Sequence, residues 1–506
     1  MNSTLHKLTK KSLFVFSYNI VGGVVGYITM FFAIKLVGQT SWGVLGSALA
    51  FSGILGIITN LGTEATHIKK LTQRTNVEEC MGAIFLLKCF LGALFFLISL
   101  VVFNLASFFG FSFESPYLEK AVYIALLGIF IGSFANIFKA TYQAKLSARR
   151  AVVPMFVQLL IQNILIILFS LWYYFNPYLD VQAVGILFTY AYLLGQFGKL
   201  VVYSLWAIKD KIDFKRPSLK LLREYALFSV PLALSGIVAT IQAYTDRAML
   251  QFFWNTKEVG GYFAVQKIAL FITYFGASVS FFLYPTQSHY FERQKKSTFH
   301  KITTKSEKYL SLISAPFVFF TFVMADEILN IFRRSLITYS IPLMILMVYA
   351  YFNVINRPYG SQITSANMPH EVMRVGVIQA FLNVILNAIF IPKSILGIPL
   401  LGLKSTGAAL ATFLSFLVGF FYFRYRLYKL LKPRYYYGVF WHLYAALVST
   451  MVIFILKLFT PSYIWYPWYS VLCSFLLFSG VYLLILYLLG EIGKEEWKLV
   501  ISIIKG

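Results

Sequence analysis

The sequence predicts an all-α polytopic membrane protein, and three observations predict it. Hydrophobic residues fill 59% of the 506 positions and charged residues only 12%, against roughly 25% charged in a soluble domain. The apolar residues gather in about fourteen runs, each near the 20 or so residues a spanning helix needs. The charge, 44 Lys and Arg against 19 Asp and Glu for a net +25, is concentrated between those runs. With a mean hydropathy of +0.73 and 51 Phe, the chain has too little polar surface for a soluble globule. Disordered and disulfide-framework classes fall at the same step.

The runs follow in order. The first, 13–37, comes after Lys7, Lys10 and Lys11. It is too long for a signal-peptide core and no small-residue cleavage site follows it cleanly, so it reads as a retained first helix. Runs 42–66, 80–104, 119–143, 151–175 and 181–206 complete a first set of six. A basic segment, 207–223, separates them from runs 224–250, 258–285, 308–330, 336–360, 372–391 and 402–424. Runs 336–360 and 372–391 are diluted by Asn353, Asn356, Arg357 and Asn367. Runs 437–459 and 466–490 close the chain. The expected domains are a lobe at 1–206, a linker at 207–223, a lobe at 224–424, and an appended helix pair with a tail at 425–506.

Orientation follows from Lys and Arg. Alternate loops carry Lys69, Lys70 and Arg74; Lys145, Arg149 and Arg150; Lys209 to Arg223; Arg293 to Lys305; and Arg424 to Arg434. Lys494, Lys498 and Lys505 fall on the same side. The intervening loops are short and nearly neutral. The rule predicts both termini in the cytoplasm of a multi-pass cell-membrane protein. Trp42, Trp254, Trp441, Trp465 and Trp468 sit at span ends, as an interfacial aromatic belt does. Most of the +25 is therefore topology, and the basic face attracts anionic membrane lipids; nucleic acid is not an expected partner.

The two sets of six look related. Gly43 and Gly260, Lys139 and Arg357, Gln158 with Gln162 and Gln379 with Asn383, and Gly185 and Gly407 recur in order at offsets of 217 to 222 residues. A repeat of six helices keeps its orientation, which predicts parallel halves. Cys80, Cys89 and Cys473 have no C-x-x-C spacing, and the six histidines show no ligand spacing. No cofactor is predicted, and without a Walker A loop no ATP hydrolysis by this chain.

The stretch LVGQTSWGVLGSALAFSGILGIITNLGTEATHIKKLTQ, Leu36–Gln73, resembles the start of the polysaccharide flippases. These are the O-antigen and teichoic-acid (Wzx-type) exporters of the multidrug/oligosaccharidyl-lipid/polysaccharide (MOP) superfamily. Tyr225–Ala269 is similar to their helices 7 and 8, with Asp246–Arg247 at the family's acid–basic pair and Gly260–Tyr262 at its Gly-x-Tyr. Leu382–Thr412 resembles N-x-x-L-N-x-x-x-I-P followed by G-A-A-x-A-T. The resemblance implies two six-helix lobes around a central cavity, alternating access, and a polyprenyl-diphosphate-linked oligosaccharide as cargo. Other membrane proteins of polysaccharide assembly are candidate partners.

Charges inside spans are costly and face a cavity or a partner by default. The basic ones are Lys35, Lys88, Lys139, Lys199, Arg247, Lys267 and Arg357; the acids are Glu64 and Asp246. If they face the cavity, it is cationic, and suits a diphosphate. The substrate-binding candidates are Lys88, Lys267, Lys139, Arg357, Arg247, Lys35, Asp246, Asn163 and Gln242, with Glu64 as a gating candidate. Snorkelling or pairing competes for Lys35 and Arg247, interhelical hydrogen bonding for Asn163 and Gln242, and a solvated helix end for Glu64. Gly22, Gly23, Gly26, Gly53 and Gly56 permit close packing or bending, and Pro231, Pro285, Pro316 and Pro342 could kink their helices. Two other functions compete with a flippase. A multidrug or cation antiporter of the same superfamily would rely on intramembrane acids. A membrane glycosyltransferase or polymerase acting on lipid-linked sugars would need a sizeable catalytic loop.

Overall fold

The computed structural model of the protein describes residues 18, 20–73, 76–110 and 112–493. Lys7, Lys10, Lys11, Arg74, Lys494, Lys498 and Lys505 lie outside the described residues. Twelve helices among the described residues are long and apolar enough to cross a membrane, and two bent helix pairs bring the number to fourteen. The chain is an all-α polytopic membrane protein.

Helix α1, Ile20–Val37, ends in a π-helical turn at Ala33–Val37. The second run is broken into α2 (Gln39–Leu55), α3 (Ile57–Asn60) and α4 (Thr63–Gln73), bent by 46°. Gly56 sits at the first break, and Leu61 (φ 31°) and Gly62 (φ 78°) form the second in left-handed conformation. A side chain at Gly62 would come within 2.4 Å of the Ser229 carbonyl oxygen. Helices α5 (Val77–Phe108), α6 (Pro116–Ala144), α7 (Ala148–Phe175), α8 (Val181–Lys209) and α9 (Leu219–Phe253) are continuous. Their starts are set by caps. Asn76, Ser115, Asp180 and Ser218 each accept a backbone N–H from the first turn of α5, α6, α8 and α9. The eighth run is again broken, into α10 (Thr256–Leu270) and α11 (Thr273–Glu292), bent by 45°. Helix α12 spans Lys296–Phe332, starting well before its apolar run. Then follow α13 (Ser340–Ser365), α14 (Pro369–Phe390), a two-stranded hairpin of β1 (Ser394–Ile395) and β2 (Ile398–Pro399), α15 (Lys404–Leu431), α16 (Val439–Phe459) and α17 (Trp468–Leu488). Pro231, Pro285 and Pro316 lie inside helices, whereas Pro342 falls in the first turn of α13, where proline is tolerated.

The chain forms two compact units, Met1–Ala264 with Ala380–Ala408, and Val265–Gln379 with Ala409–Gly506. In the first unit, one core joins α5, α6, α8 and α9 through Ile84, Phe138, Tyr142, Tyr203 and Tyr225. A second joins α2, α5 and α6 through Val44, Ala48, Phe95 and Val122. The basic segment after α8 is strapped to the start of α5: Lys215 N donates to Glu78 O at 3.1 Å, and Ser218 N to Glu79 Oε1 at 3.0 Å. The Glu78 carboxylate bonded to the Lys215 ammonium holds it above the ordinary lysine range. In the second unit, α16 and α17 are fastened to α12. His442 Nδ1 meets Ser311 Oγ at 3.0 Å, and Tyr482 OH donates to Leu312 O at 3.0 Å. The buried Glu307 carboxylate accepts from Arg424 Nη2 and Tyr436 N, each at 3.1 Å, and from Tyr359 OH. The carboxylate joins α12 to α13 and α15, and the Arg424 guanidinium, whose Nε and Nη1 have no hydrogen-bond partner among the described residues, lies 3.6 Å from the Tyr359 ring centroid.

Candidate functional site

The first unit contains a polar cavity of about 250 Å³ between apolar helices. The break in the second span forms one wall, where Thr59, Asn60 and Glu64 reach the cavity; α6 contributes Asn136, α8 contributes Tyr192, Gln196 and Lys199, and α9 contributes Thr240 and Tyr244. Polar side chains in a span are stable only against a partner or a wet cavity, and this cavity gives them one.

Its charges are organised in two layers. Behind the wall, Lys88 on α5 is 1% exposed. The break after Asn60 frees the Thr59 carbonyl from helical pairing, and Lys88 Nζ donates to it at 2.8 Å. Lys88 also lies 3.9 Å from Glu64 Oε1, which accepts from Asn136 Nδ2 at 3.0 Å. Lys88 is thus committed to the wall. Facing the cavity, Lys199 has no hydrogen bond or salt bridge among the described residues and feels Lys139 and Glu64 electrostatically. Gln196 Oε1 is buried and has no donor among the described residues.

At one side of the cavity, segments far apart in sequence meet at Asp246, which is 2% exposed. Its carboxylate accepts from Tyr262 OH at 2.5 Å, Asn387 Nδ2 at 2.7 Å and Asn383 Nδ2 at 3.2 Å. Asp246→Ala is expected to remove the acceptor these three buried donors share, at about 1–3 kcal/mol for each left unsatisfied. The measurement is thermal melting of purified protein; a wild-type melting temperature would refute the assignment. Beside it, the buried Arg247 guanidinium lies 4.4 Å from the Phe263 ring and 5.2 Å from that of Tyr244, and donates to Ala243 O at 2.9 Å.

Beyond Tyr244, α2 and α10 cross with no space between their backbones. A Cβ on Gly43 would lie 1.8 Å from Thr256 O, and one on Gly260 would lie 1.8 Å from Gln39 O. The two glycines of the internal repeat therefore face each other. Trp42 and Phe263 stack alongside at 5.3 Å. The Glu114 carboxylate completes this end, accepting from Thr256 N at 2.7 Å, Gln251 Nε2 at 2.8 Å and Thr256 Oγ1 at 2.9 Å. Gln251 in turn accepts from Ser47 Oγ at 2.6 Å.

Residues 8–291, more than half of the chain, match the family described as polysaccharide biosynthesis protein. The chain belongs to that family. It is a polysaccharide flippase, and a multi-pass membrane protein. It is 24% identical over 417 residues to the probable low-salt glycan biosynthesis flippase Agl15 of Haloferax volcanii, covering 81% of each chain. It is 22% identical over 433 residues to the probable flippase AglR of the same organism, covering 82% of each. Among solved structures, the lipid II flippase MurJ in an inward closed conformation superposes with a TM-score of 0.71 at 19% identity, over 93% of this chain and 98% of that one. An inward-facing multidrug resistance transporter of the MATE family gives 0.61 at 17% identity, over 81% and 95%. These two likenesses support the fold.

Within this flippase the ten candidate residues fall in different places. Glu64 lines the cavity, with Lys88 behind it; Lys139 is half-buried on α6, one turn from Asn136. Asp246 and Arg247 sit in the cluster at its side. Lys35 and Gln242 are exposed. Asn163 is turned onto its own helix, donating to Leu159 O at 2.7 Å. Lys267 and Arg357 belong to the second unit, both half-buried, and Arg357 Nε donates to Asn353 Oδ1 at 3.3 Å. Sequence reasoning passed over Asn60, Asn136, Tyr192, Gln196, Thr240 and Tyr244, and did not carry Lys199 into the site. One signal was present: Asn136 and Lys139 on α6, and Gln196 and Lys199 on α8, share an amide–x–x–Lys spacing that puts both groups on one helix face. Among the described residues no group of three or more His, Cys, Asp or Glu is placed to hold a metal ion.

Proposed function

We propose that this flippase moves a polyprenyl-diphosphate-linked oligosaccharide from the cytoplasmic to the outer leaflet by alternating access through a cationic cavity. The membrane is the cytoplasmic (inner) one, with both termini in the cytoplasm, as the basic loops suggest. The cargo bears about two negative charges at its linker, and a lysine in a low-dielectric site attracts them far more strongly than one in water. The observation that carries this reading is Lys199, a buried cation open to the cavity and without an acid bonded to it. Lys139 and Arg247 are the further basic residues of the first unit assigned to the diphosphate; Lys267 and Arg357, in the second unit, are also proposed cargo-binding residues. Asn60, Asn136 and Gln196 offer amides to sugar hydroxyls, and Tyr192 and Tyr244 offer ring faces.

The test is complementation of a cell lacking its own flippase, with leaflet-resolved detection of the lipid-linked glycan. Export is expected with the wild-type chain; glycan held only on the inner leaflet despite good expression would refute the reading. Lys199→Ala removes a charge-assisted bond of about 1.5–3 kcal/mol, roughly tenfold or more in cargo affinity. Lys199→Ala and Lys139→Ala are each expected to lower export at limiting cargo while leaving the melting temperature near wild type. Full export by both variants would remove these lysines from the site.

A further inference from the structure

The loop joining α14 to α15 carries a feature that translocation does not use. After α14 the chain turns back through β1 and β2, pairing Ser394 with Pro399 and Ile395 with Ile398. Leu396 (φ 49°) and Gly397 (φ 82°) make the turn, both left-handed, as a two-residue hairpin requires. The hairpin is fixed to the helix end: Leu400 N donates to Lys393 O at 2.7 Å, and Gly402 N and Leu403 N to Pro392 O and Phe390 O at 2.8 Å each. Its tip is apolar. Leu396 is 98% exposed, Ile398 64% and Leu401 57%. A leucine at a left-handed turn position, where Asn or Gly is ordinarily found, is wholly exposed.

Two observations say what covers it. First, the hairpin follows directly on α14, whose exposed Phe381, Ile385 and Ile389 lie four residues apart on one face, which in a spanning helix faces acyl chains. Second, the base of the hairpin is built for a headgroup. Trp254 Nε1 donates to Ile391 O at 2.8 Å, and the Nζ atoms of Lys393 and Lys404 lie 5.2 and 4.5 Å from the Trp254 ring centroid. Trp beside Lys at a span end is the composition of a membrane interface. Both lysines are exposed, and Glu258 lies 3.8 Å from Lys404. We propose that the hairpin Ser394–Pro399 is an interfacial anchor. Its tip inserts at the boundary between headgroups and acyl chains, and Lys393 and Lys404 engage phospholipid phosphates above it. It lies in the set of loops opposite the strongly basic ones, so the leaflet it enters is the one facing away from them.

The test uses the full-length chain carrying Leu396→Cys with exposed Cys89 and Cys473 replaced by serine, labelled with an environment-sensitive dye. The protein is reconstituted in vesicles of phosphatidylcholine and phosphatidylglycerol. Blue-shifted emission is expected, quenched several-fold more by a spin label high on the acyl chain than by aqueous iodide. Adding Lys393→Gln and Lys404→Gln is expected to reduce the lipid quenching. Water-like emission with full iodide quenching overturns the proposal. So does shielding that rises with protein density and ignores lipid spin labels, which would assign the tip to a second copy. The readout needs no glycan, so it stands or falls independently of the cargo proposed above.

Discussion

Gly43→Ala is expected to disable transport by forcing apart two helices that touch through their backbones. The added carbon would lie 1.8 Å from Thr256 O and 2.9 Å from Gly260 N. Neither obstacle is a side chain that can rotate away; both are backbone atoms of the first turns of α10. Overpacking of this kind costs about 1–3 kcal/mol, which shifts a two-state equilibrium by roughly 5- to 150-fold. The cost falls on the arrangement in which α2 and α10 are closed. A cysteine replacing Gln251 is therefore expected to react faster with a membrane-impermeant maleimide in Gly43→Ala than in the parent, and export is expected to fall with it. Gly260→Ala should behave alike, since its carbon would lie 1.8 Å from Gln39 O. Gly26→Ala is the control, with nothing within 4 Å of the new carbon. Unchanged reactivity and export in both Gly43→Ala and Gly260→Ala would show that the crossing does not take part in the cycle.

Lys88→Ala is expected to act on stability first. Lys88 is sealed behind the cavity and holds the broken second span through Thr59 O and Glu64. Removing it leaves the buried Thr59 carbonyl without its donor, at about 1–3 kcal/mol, and takes away the cation 3.9 Å from Glu64. The melting temperature is expected to drop, in contrast to Lys199→Ala. The paired variant Lys88→Met with Glu64→Gln removes both charges, and is expected to recover part of the loss through a coupling of about 0.5–3 kcal/mol. Wild-type melting of Lys88→Ala, or strictly additive effects in the pair, would show that the two residues do not support one another.

The contrast between Lys88 and Lys199 explains how far the sequence could be read. Depth in a span is legible, because it depends on counting apolar residues from a boundary. By that count Lys88 looks like a cavity residue. The direction a side chain takes around the helix is less legible, since in lipid the outward and inward faces are both apolar. Here Lys88 points into the packing of α3 and α5, while Lys199 points into open space. The fourteen runs were readable for the same reason that depth was. The breaks were less so, because a bend leaves the apolar count unchanged: Gly56 only permits one in the second run, and nothing marks the one around Phe271 in the eighth. The Asp246 cluster was half legible: its parts were visible as separate motifs, but their meeting spans 137 residues between Asp246 and Asn383. No local pattern encodes such a distance.

The Glu114 carboxylate has a consequence for how α10 is built. Two backbone donors in the first turn of α10 are satisfied in different ways. Asn255 Oδ1 takes the Glu258 N–H at 3.0 Å from within the same turn, whereas Glu114 takes the Thr256 N–H from 142 residues away. A neighbour's cap travels with its helix through any rearrangement. A cap supplied by a remote loop lasts only while that loop stays seated, and its departure leaves the Thr256 amide to water. The secondary structure of α10 is therefore joined to the tertiary position of the α5–α6 loop. In this flippase the first turn of a helix doubles as a gauge of the global state.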